Sequence, residues 1–324
     1  MDKLRFAGRR LLQGLAALLL IAVVNSLLVR AAPGDPAMVL AGEAGAADEA
    51  YMQQLRERFD LDRPLPQQLL TYLGQLARGD LGQSYRQQAP VLDLILERLP
   101  ATLLLTGTAF VLALAAGVAL GVWASTRVGT WQDSLISLFA TLFYATPLYW
   151  LALIAVLVFS VWLPWLPGFG FETVGGGHTG LARVIDIGRH LLLPALVLAM
   201  FFMAIYARMT RAAMPEVASQ DFVKTARAKG LPPGRILRAH VLRNALLPVV
   251  TLAGLQAGAM VGGAVLIETV FAWPGIGRLL FDALGQRDYA LLLGTFLVTA
   301  ALAIAFNVIT DLVYTVVDPR IELS

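Results

Sequence analysis

Leu99-Pro-Ala-Thr-Leu-Leu-Leu-Thr-Gly-Thr-Ala-Phe-Val-Leu-Ala-Leu-Ala-Ala-Gly-Val-Ala-Leu-Gly-Val-Trp-Ala-Ser-Thr126 runs for 28 residues without an Asp, Glu, Lys or Arg. A helix of ~20 apolar residues crosses the ~30 Å hydrocarbon core of a bilayer, so this run is long enough to span one. It shows no apolar/polar alternation of period two, which excludes a membrane β-strand and leaves an α-helix, whose backbone groups are satisfied without water.

Five further runs free of the same residue types surround it, at 11–29, 134–171, 191–207, 244–267 and 289–310. The run at 134–171 is too long for one crossing. Pro164, Trp165 and Pro167 mark a helix exit with an interfacial aromatic, so it is read as one span plus a loop. The composition agrees: of 324 residues 58% are apolar and 15% charged, with a mean hydropathy of +0.70, whereas soluble domains are about a quarter charged. The first run follows Lys3, Arg5, Arg9 and Arg10, as in a signal peptide, but its 19 residues exceed an h-region of roughly 7–15 and no A-x-A site follows. It is expected to remain as a first span. The absence of cysteine excludes disulfides, thiolate metal sites and a cysteine nucleophile, and a net charge of +3 gives no reason to expect nucleic acid.

The expected fold is therefore an all-α, polytopic membrane protein of six helices. An even number of spans puts both termini on one side. Basic residues cluster before the first run and again between 211 and 243, where there are seven, so that side is cytoplasmic. Three parts follow: a tail and first helix at 1–32, an extracytoplasmic segment at 33–98, and a core at 99–324. The core has spans near 99–124, 134–162, 190–210, 245–270 and 288–316 and a cytoplasmic loop at 211–243. The 33–98 segment carries ten acidic and six basic residues. Leu55, Phe59 and Leu61, then Leu69, Leu70, Leu73 and Leu76, predict short amphipathic helices on either side of Pro64-Leu65-Pro66.

The 211–243 loop is unusually constructed. Ser219 is expected to cap a helix starting at Gln220, with Asp221 in its first turn and Lys224, Arg227 and Lys229 toward its end. Gly230 stops it and Pro232 and Pro233 prevent continuation. A second short helix is expected at 235–243. Small spacings predict close helix contacts at Gly117 and Gly121, and at Gly254, Gly258 and Gly262, the last three serving intrachain packing or a subunit interface.

Asp221-Phe222-Val223-Lys224-Thr225-Ala226-Arg227-Ala228-Lys229-Gly230, followed by Arg243-Asn244-Ala245-Leu246-Leu247-Pro248, resembles the EAA loop of binding-protein-dependent ABC importers. The resemblance is to the first permease subunit of the dipeptide, oligopeptide and nickel group. It extends to Pro33-Gly34-Asp35-Pro36, to Gly79-Asp80-Leu81-Gly82-Gln83-Ser84, to Glu268-Thr269-Val270-Phe271-Ala272-Trp273-Pro274-Gly275-Ile276-Gly277 and to Asp318-Pro319-Arg320-Ile321. Lys224-Thr225 stands where the general motif has Glu-Ala, and the stretch from Gly230 to Pro248 is longer than in the general loop; both departures fit that group. The resemblance implies a type I permease-like fold in the bacterial inner membrane. It also implies a second homologous permease, two ATP-binding subunits that hold ATP and Mg, and an extracytoplasmic binding protein. The chain would bind no cofactor, and Asp221, Thr225, Ala226, Arg227, Lys229 and Gly230 would dock on an ATPase. The 33–98 segment would face the binding protein or guard the entrance; by composition alone it is a small folded lid. The cargo, whether peptide, nickel chelate, glutathione-like thiol or opine, is not readable.

Gln256, Glu268, Asn307 and Asp311 are polar groups in or at the edges of spans. They either line a path or serve as caps and helix-helix hydrogen bonds. Gly175-Gly176-Gly177-His178-Thr179-Gly180 matches G-x-G-x-x-G but follows no strand, and no G-x-x-x-x-G-K-[ST] occurs. His178, His190 and His240 share neither side nor metal-ligand spacing, so no metal site and no catalytic residue is expected. Two other readings predict different features. An ion-driven secondary transporter would carry acidic or broken-helix sites at mid-membrane. An intramembrane hydrolase would need a nucleophile such as Ser160 facing a base such as His190.

Overall fold

The computed structural model describes residues 2–31, 53 and 64–317, the side chains of 2–7, 29–31 and 311–317 excepted. The described elements are α1 (Asp2–Ala31), α2 (Leu65–Ala77), a hairpin of β1 (Gln83–Ser84) and β2 (Ala89–Pro90), and α3 (Val91–Ser125). Then follow α4 (Trp131–Ala145), α5 (Leu148–Trp162), α6 (Gly180–Ala218), α7 (Asp221–Ala228), α8 (Pro233–Val270), α9 (Ile276–Gly285) and α10 (Tyr289–Val317). Among them α1, α3, α6, α8 and α10 are each long and apolar enough to cross a membrane. The short motifs at 33–36 and 318–321 and the expected helix around Leu55, Phe59 and Leu61 lie outside the described residues.

The third expected span differs from the reading. Instead of one helix over 134–162 there are two, α4 and α5, bent by 104°. The cause is Pro147: it lacks an N–H and forces Thr146 to an extended ψ of 130°. Counted together the pair makes a sixth crossing. Several helices also outrun the apolar runs. The second begins at Val91, directly after the hairpin, and not near 99. The fourth extends to Gly180–Ala218 and the fifth begins at Pro233. Charged residues end an apolar run without ending a helix, because helical backbone bonding continues into water.

Helices α3 and α6 form the most extensive pair, and α8 packs on α6 and α10. Gly117 and Gly121 bring α3 and α6 together: a Cβ on Gly117 would lie 2.7 Å from Tyr206 Cβ, and one on Gly121 would lie 2.7 Å from the Ala207 carbonyl. Gly254 and Gly258 do the same for α8 against α10, meeting Thr310 and Asn307. Gly262 makes no such contact within the chain, since nothing among the described residues lies within 4 Å of the position a Cβ would take, which leaves the subunit-interface alternative for it. Helix α1 lies at the periphery against α10, with Gly14 beside Ile304. Its leucines face outward, as a bilayer permits and water would not. Leu105, Leu198, Tyr206, Ile267 and Trp273 are fully buried in the main core, which runs along α3, α6 and α8.

Candidate functional site

At the inner end of the bundle, α7 lies between the ends of α6 and α8. Val223 and Ala226, three residues apart, put one face of α7 into a cluster with Ala213, Met214, Ile236, Val241 and Ala245. Asp221, Lys224, Thr225, Arg227 and Lys229 are exposed on the remainder. Ala226, expected on the docking face, is only 5% exposed and instead seats α7 on its own bundle. The helix begins at Asp221, one residue later than the expected Gln220, and its N-cap is Gln220 and not Ser219. Ser219 is still in helical geometry at the end of α6, and its hydroxyl donates to the Glu216 carbonyl at 2.7 Å. Lys224 Nζ pairs with Asp221 Oδ1 at 2.8 Å, and the Thr225 hydroxyl donates to the Asp221 carbonyl at 3.0 Å. Both are local bonds that leave the outward side of α7 free. Gly230 ends the element at φ +74°, the left-handed conformation that glycine adopts most readily.

The second short helix expected at 235–243 is no separate element. Residues Ile236–Leu242 are π-helical turns that lead directly into the transmembrane part of α8. The expected 211–243 loop is thus mostly helix, and the connection proper is confined to 219–232. Arg227 lines a cavity of about 600 Å³ behind α7, together with Thr126, Met214, Leu231, Ile236 and Leu237. Beside it, Asp133 at the start of α4 is buried and held by Arg211 of α6, whose Nη2 lies 2.8 Å from Oδ2, and by the Gly129 N–H at 3.1 Å.

At the outer end a second constellation forms around Glu268, which is fully buried. The Ile276 N–H donates to Thr102 Oγ1 at 2.8 Å, and the Thr102 hydroxyl donates in turn to Glu268 Oε1 at 2.7 Å. The Arg278 N–H donates to Oε2 at 3.1 Å. The carboxylate therefore ties α8 and α9 to α3. The Trp273 indole N–H adds a bond to the Ala101 carbonyl at 2.9 Å, and its ring packs on Phe171 at 4.8 Å. Gly275 and Gly277 are required by close approach: a Cβ on the first would meet the Glu268 carboxyl group, and one on the second would lie 2.5 Å from Val265 Cα. Glu268 is an anchor and not an exposed path residue.

The other path candidates are not brought together with it. Gln256 is half-buried on α8, Asn307 packs on Gly258 with one side exposed, and the side chain of Asp311 lies outside the described residues. Among the described residues no cluster of His, Asp and Glu could hold a metal ion. The hydrolase ingredients do not meet either. Ser160 Oγ is buried without a hydrogen-bond partner among the described residues, while His190 Nδ1 lies 2.9 Å from the Asp186 carbonyl.

Residues 117–323 match the family described as binding-protein-dependent transport system inner membrane component, and residues 3–106 match its N-terminal companion. The chain belongs to this family of inner-membrane transport components. A putative peptide permease protein of Brucella ovis is 41% identical over 322 residues, covering 99% of this chain and 100% of that protein. The di/tripeptide transport system permease protein DppB of Pseudomonas aeruginosa is 39% identical, covering 98% and 99%. The dipeptide transport system permease protein DppB of Alkalihalophilus pseudofirmus is 37% identical over similar shares. Among solved structures, an inward-facing MetNI methionine ABC transporter superposes with a TM-score of 0.53 at 20% identity, covering 70% of this chain and 97% of that one. That likeness concerns the fold, which is the type I ABC importer permease fold. The permease is thus a multi-pass inner-membrane protein and a membrane subunit of a transporter, not an enzyme.

Sequence reasoning missed several residues of this permease. Thr102 and Trp273 were hidden because their partners lie 166 and 172 residues away. Asp133 was legible as a charge bounding an apolar run and Arg211 as the first basic residue of the 211–243 loop, but not as a pair. Phe222, 40% exposed beside the α7 charges, stood in the quoted motif without a role.

Proposed function

We propose that this permease forms half of the translocation path of an ATP-driven importer of short peptides and receives the ATPase stroke through α7. The supporting observation is the build of α7: one face is fixed in its own bundle through Val223 and Ala226, while Phe222, Lys224, Arg227 and Lys229 remain exposed. Such a helix can transmit a push because it is seated, and can be recognised because its other face is unoccupied. The peptide assignment is supported by near-full-length similarity to permeases named for peptides, dipeptides and di/tripeptides; a nickel chelate is the alternative cargo. Leu255, Ala259, Gly262 and Leu266 form an exposed stripe on α8 with small residues at its centre, suited to a second permease helix. In this mechanism ATP-driven closure of two ATPases moves α7, and the inner ends of α6 and α8 follow while the paired bundles alternate access.

The test is uptake of a labelled dipeptide by the reconstituted complete transporter. We expect uptake that requires ATP and the binding protein, and a loss of at least ~10-fold in ATPase association for the Arg227→Glu, Lys229→Glu double variant, since losing even one charge-assisted contact at about 1.5–3 kcal/mol exceeds the ~1.4 kcal/mol of a tenfold change. Uptake driven by an ion gradient without ATP would refute the transporter class. Undiminished ATPase association in the double variant would refute the role of α7, and nickel-chelate uptake without dipeptide uptake would refute the cargo.

A further inference from the structure

A cavity of about 360 Å³ opens between α3, α8 and α10, walled by Phe110, Ala253, Ala257, Met260, Phe306 and Ile309. Two threonines also reach it, but their hydroxyls are engaged within their own helices: Thr106 donates to the Thr102 carbonyl at 2.7 Å and Thr310 to the Phe306 carbonyl at 2.8 Å. Among the described residues no charged side chain lines the space. A peptide has termini and amides that would find no partner here, and leaving them unpaired in such surroundings is unfavourable. The wall suits hydrocarbon.

The occupant is indicated by what lies below the cavity. Arg243, Leu247, Val250, Gly254 and Ala257 recur at intervals of three or four residues along α8, which places them on one helix face. Arg243, at the cytoplasmic end of that face, is exposed. At 1.5 Å per residue, Val250 and Ala257 stand ~10 and ~21 Å above it. In a leaflet the hydrocarbon extends ~15 Å from the midplane and the headgroups lie outside it, within ~20–22 Å, so a lipid phosphate at the level of Arg243 has its acyl chains at the level of the cavity. A guanidinium is also the side chain best matched to a phosphate.

We propose that this cavity is a binding site for an anionic phospholipid of the inner leaflet, with the phosphate on Arg243 and one acyl chain between α3, α8 and α10. The site is separate from the stripe at Leu255, Ala259, Gly262 and Leu266, which lies on the opposite side of α8. It rests on the membrane assignment and not on the identity of the cargo.

The complete transporter is reconstituted in vesicles containing a phosphatidylglycerol with a diazirine at mid-chain, or the phosphatidylcholine analogue, then irradiated and mapped by peptide mass spectrometry. With phosphatidylglycerol we expect adducts in 250–260 and 306–310 at several times the yield on the exposed Leu15, Leu19 and Leu20 of α1. Ala257→Phe fills the cavity and should remove these adducts; Ala257→Met serves the same purpose if the larger side chain prevents folding. Arg243→Gln should reduce the preference for phosphatidylglycerol over phosphatidylcholine about five-fold, as one interfacial basic residue contributes ~1 kcal/mol. Yields no greater than on α1, adducts joining this face to another protein chain, or a lipid preference unchanged in Arg243→Gln would each overturn the proposal.

Discussion

Replacing Glu268 separates an anchoring carboxylate from a transporting one. In Glu268→Ala two donors, the Thr102 hydroxyl and the Arg278 N–H, lose their buried acceptor. Each orphaned group costs about 1–3 kcal/mol, so the substitution should destabilise the chain by about 2–6 kcal/mol. Glu268→Gln keeps one acceptor oxygen but presents an NH₂ to the other donor, and should cost about half as much. Thr102→Val removes the bond to Glu268 and also orphans the Ile276 N–H, again about 1–3 kcal/mol. Because the three groups form one chain of hydrogen bonds, the losses should not add. The double variant Glu268→Ala, Thr102→Val should be less destabilised than the sum of the singles, by about 1 kcal/mol or more. Unfolding of the purified transporter in mixed micelles, followed by tryptophan fluorescence, measures each variant, and uptake in proteoliposomes is measured in parallel. Strict additivity would refute the network. A collapse of uptake in Glu268→Gln with unchanged stability would refute the anchoring role and return Glu268 to the path.

Two further outcomes are expected. Gly121→Leu should abolish the folded permease, because a Cβ there lies 2.5 Å from Thr210 Cβ and 2.7 Å from a backbone carbonyl that cannot rotate away. Gly262→Leu should leave folding of the chain intact, and size-exclusion yield compares the two; equal yields would refute the packing assignment. Ala272→Gly should stabilise the outer turn by about 0.5–1 kcal/mol, because Ala272 holds φ 51° where the Trp273 N–H bonds the Glu268 carbonyl at 2.8 Å. The left-handed conformation costs a non-glycine residue ~1–2 kcal/mol, which exceeds the entropic cost of glycine. A lower unfolding midpoint would refute it.

Much of the fold was legible because bilayer physics acts on runs of residues. Apolar runs, the left-handed stop at Gly230 and the Gly117, Gly121 spacing all carry their meaning locally. The bend at Pro147 was legible in principle, since a residue before proline avoids helix, but no charge marks it inside a continuous apolar run. Ser219 misled for a similar reason: a capping residue type two positions before a helix can equally close the previous one. The outer anchor was hidden. Glu268 and Thr102 belong to different spans, and no pattern within either announces the other. For α7, the residue types were legible but their direction was not, because Ala226 suits a docking face and a buried seat equally well. Only the position of Val223 and Ala226 against Met214 and Ile236 decides between them.

The two ends of the bundle differ in how they are fixed, and under the proposed coupling through α7 this difference would determine where movement enters. At the outer end α8 is tied to α3 by hydrogen bonds through Glu268, Thr102 and Trp273, in a fully buried setting that tolerates little displacement. At the inner end α7 is held by apolar contact alone, through Val223 and Ala226, and apolar contacts slide at lower cost than buried polar ones break. Its two connections are also unequal. Ser219 and Gln220 join it to the regular end of α6, while Gly230 to Pro232 lead to the π-helical turns at Ile236–Leu242. Such turns are a less regular stretch of helix and often mark functional sites. A displacement of α7 would therefore carry α6 with it directly and be partly absorbed at the base of α8, so the inner ends of these helices shift relative to each other while their outer ends stay in register. Relative movement of two helices about a fixed outer anchor is what opening one end of a path, without opening the other, requires.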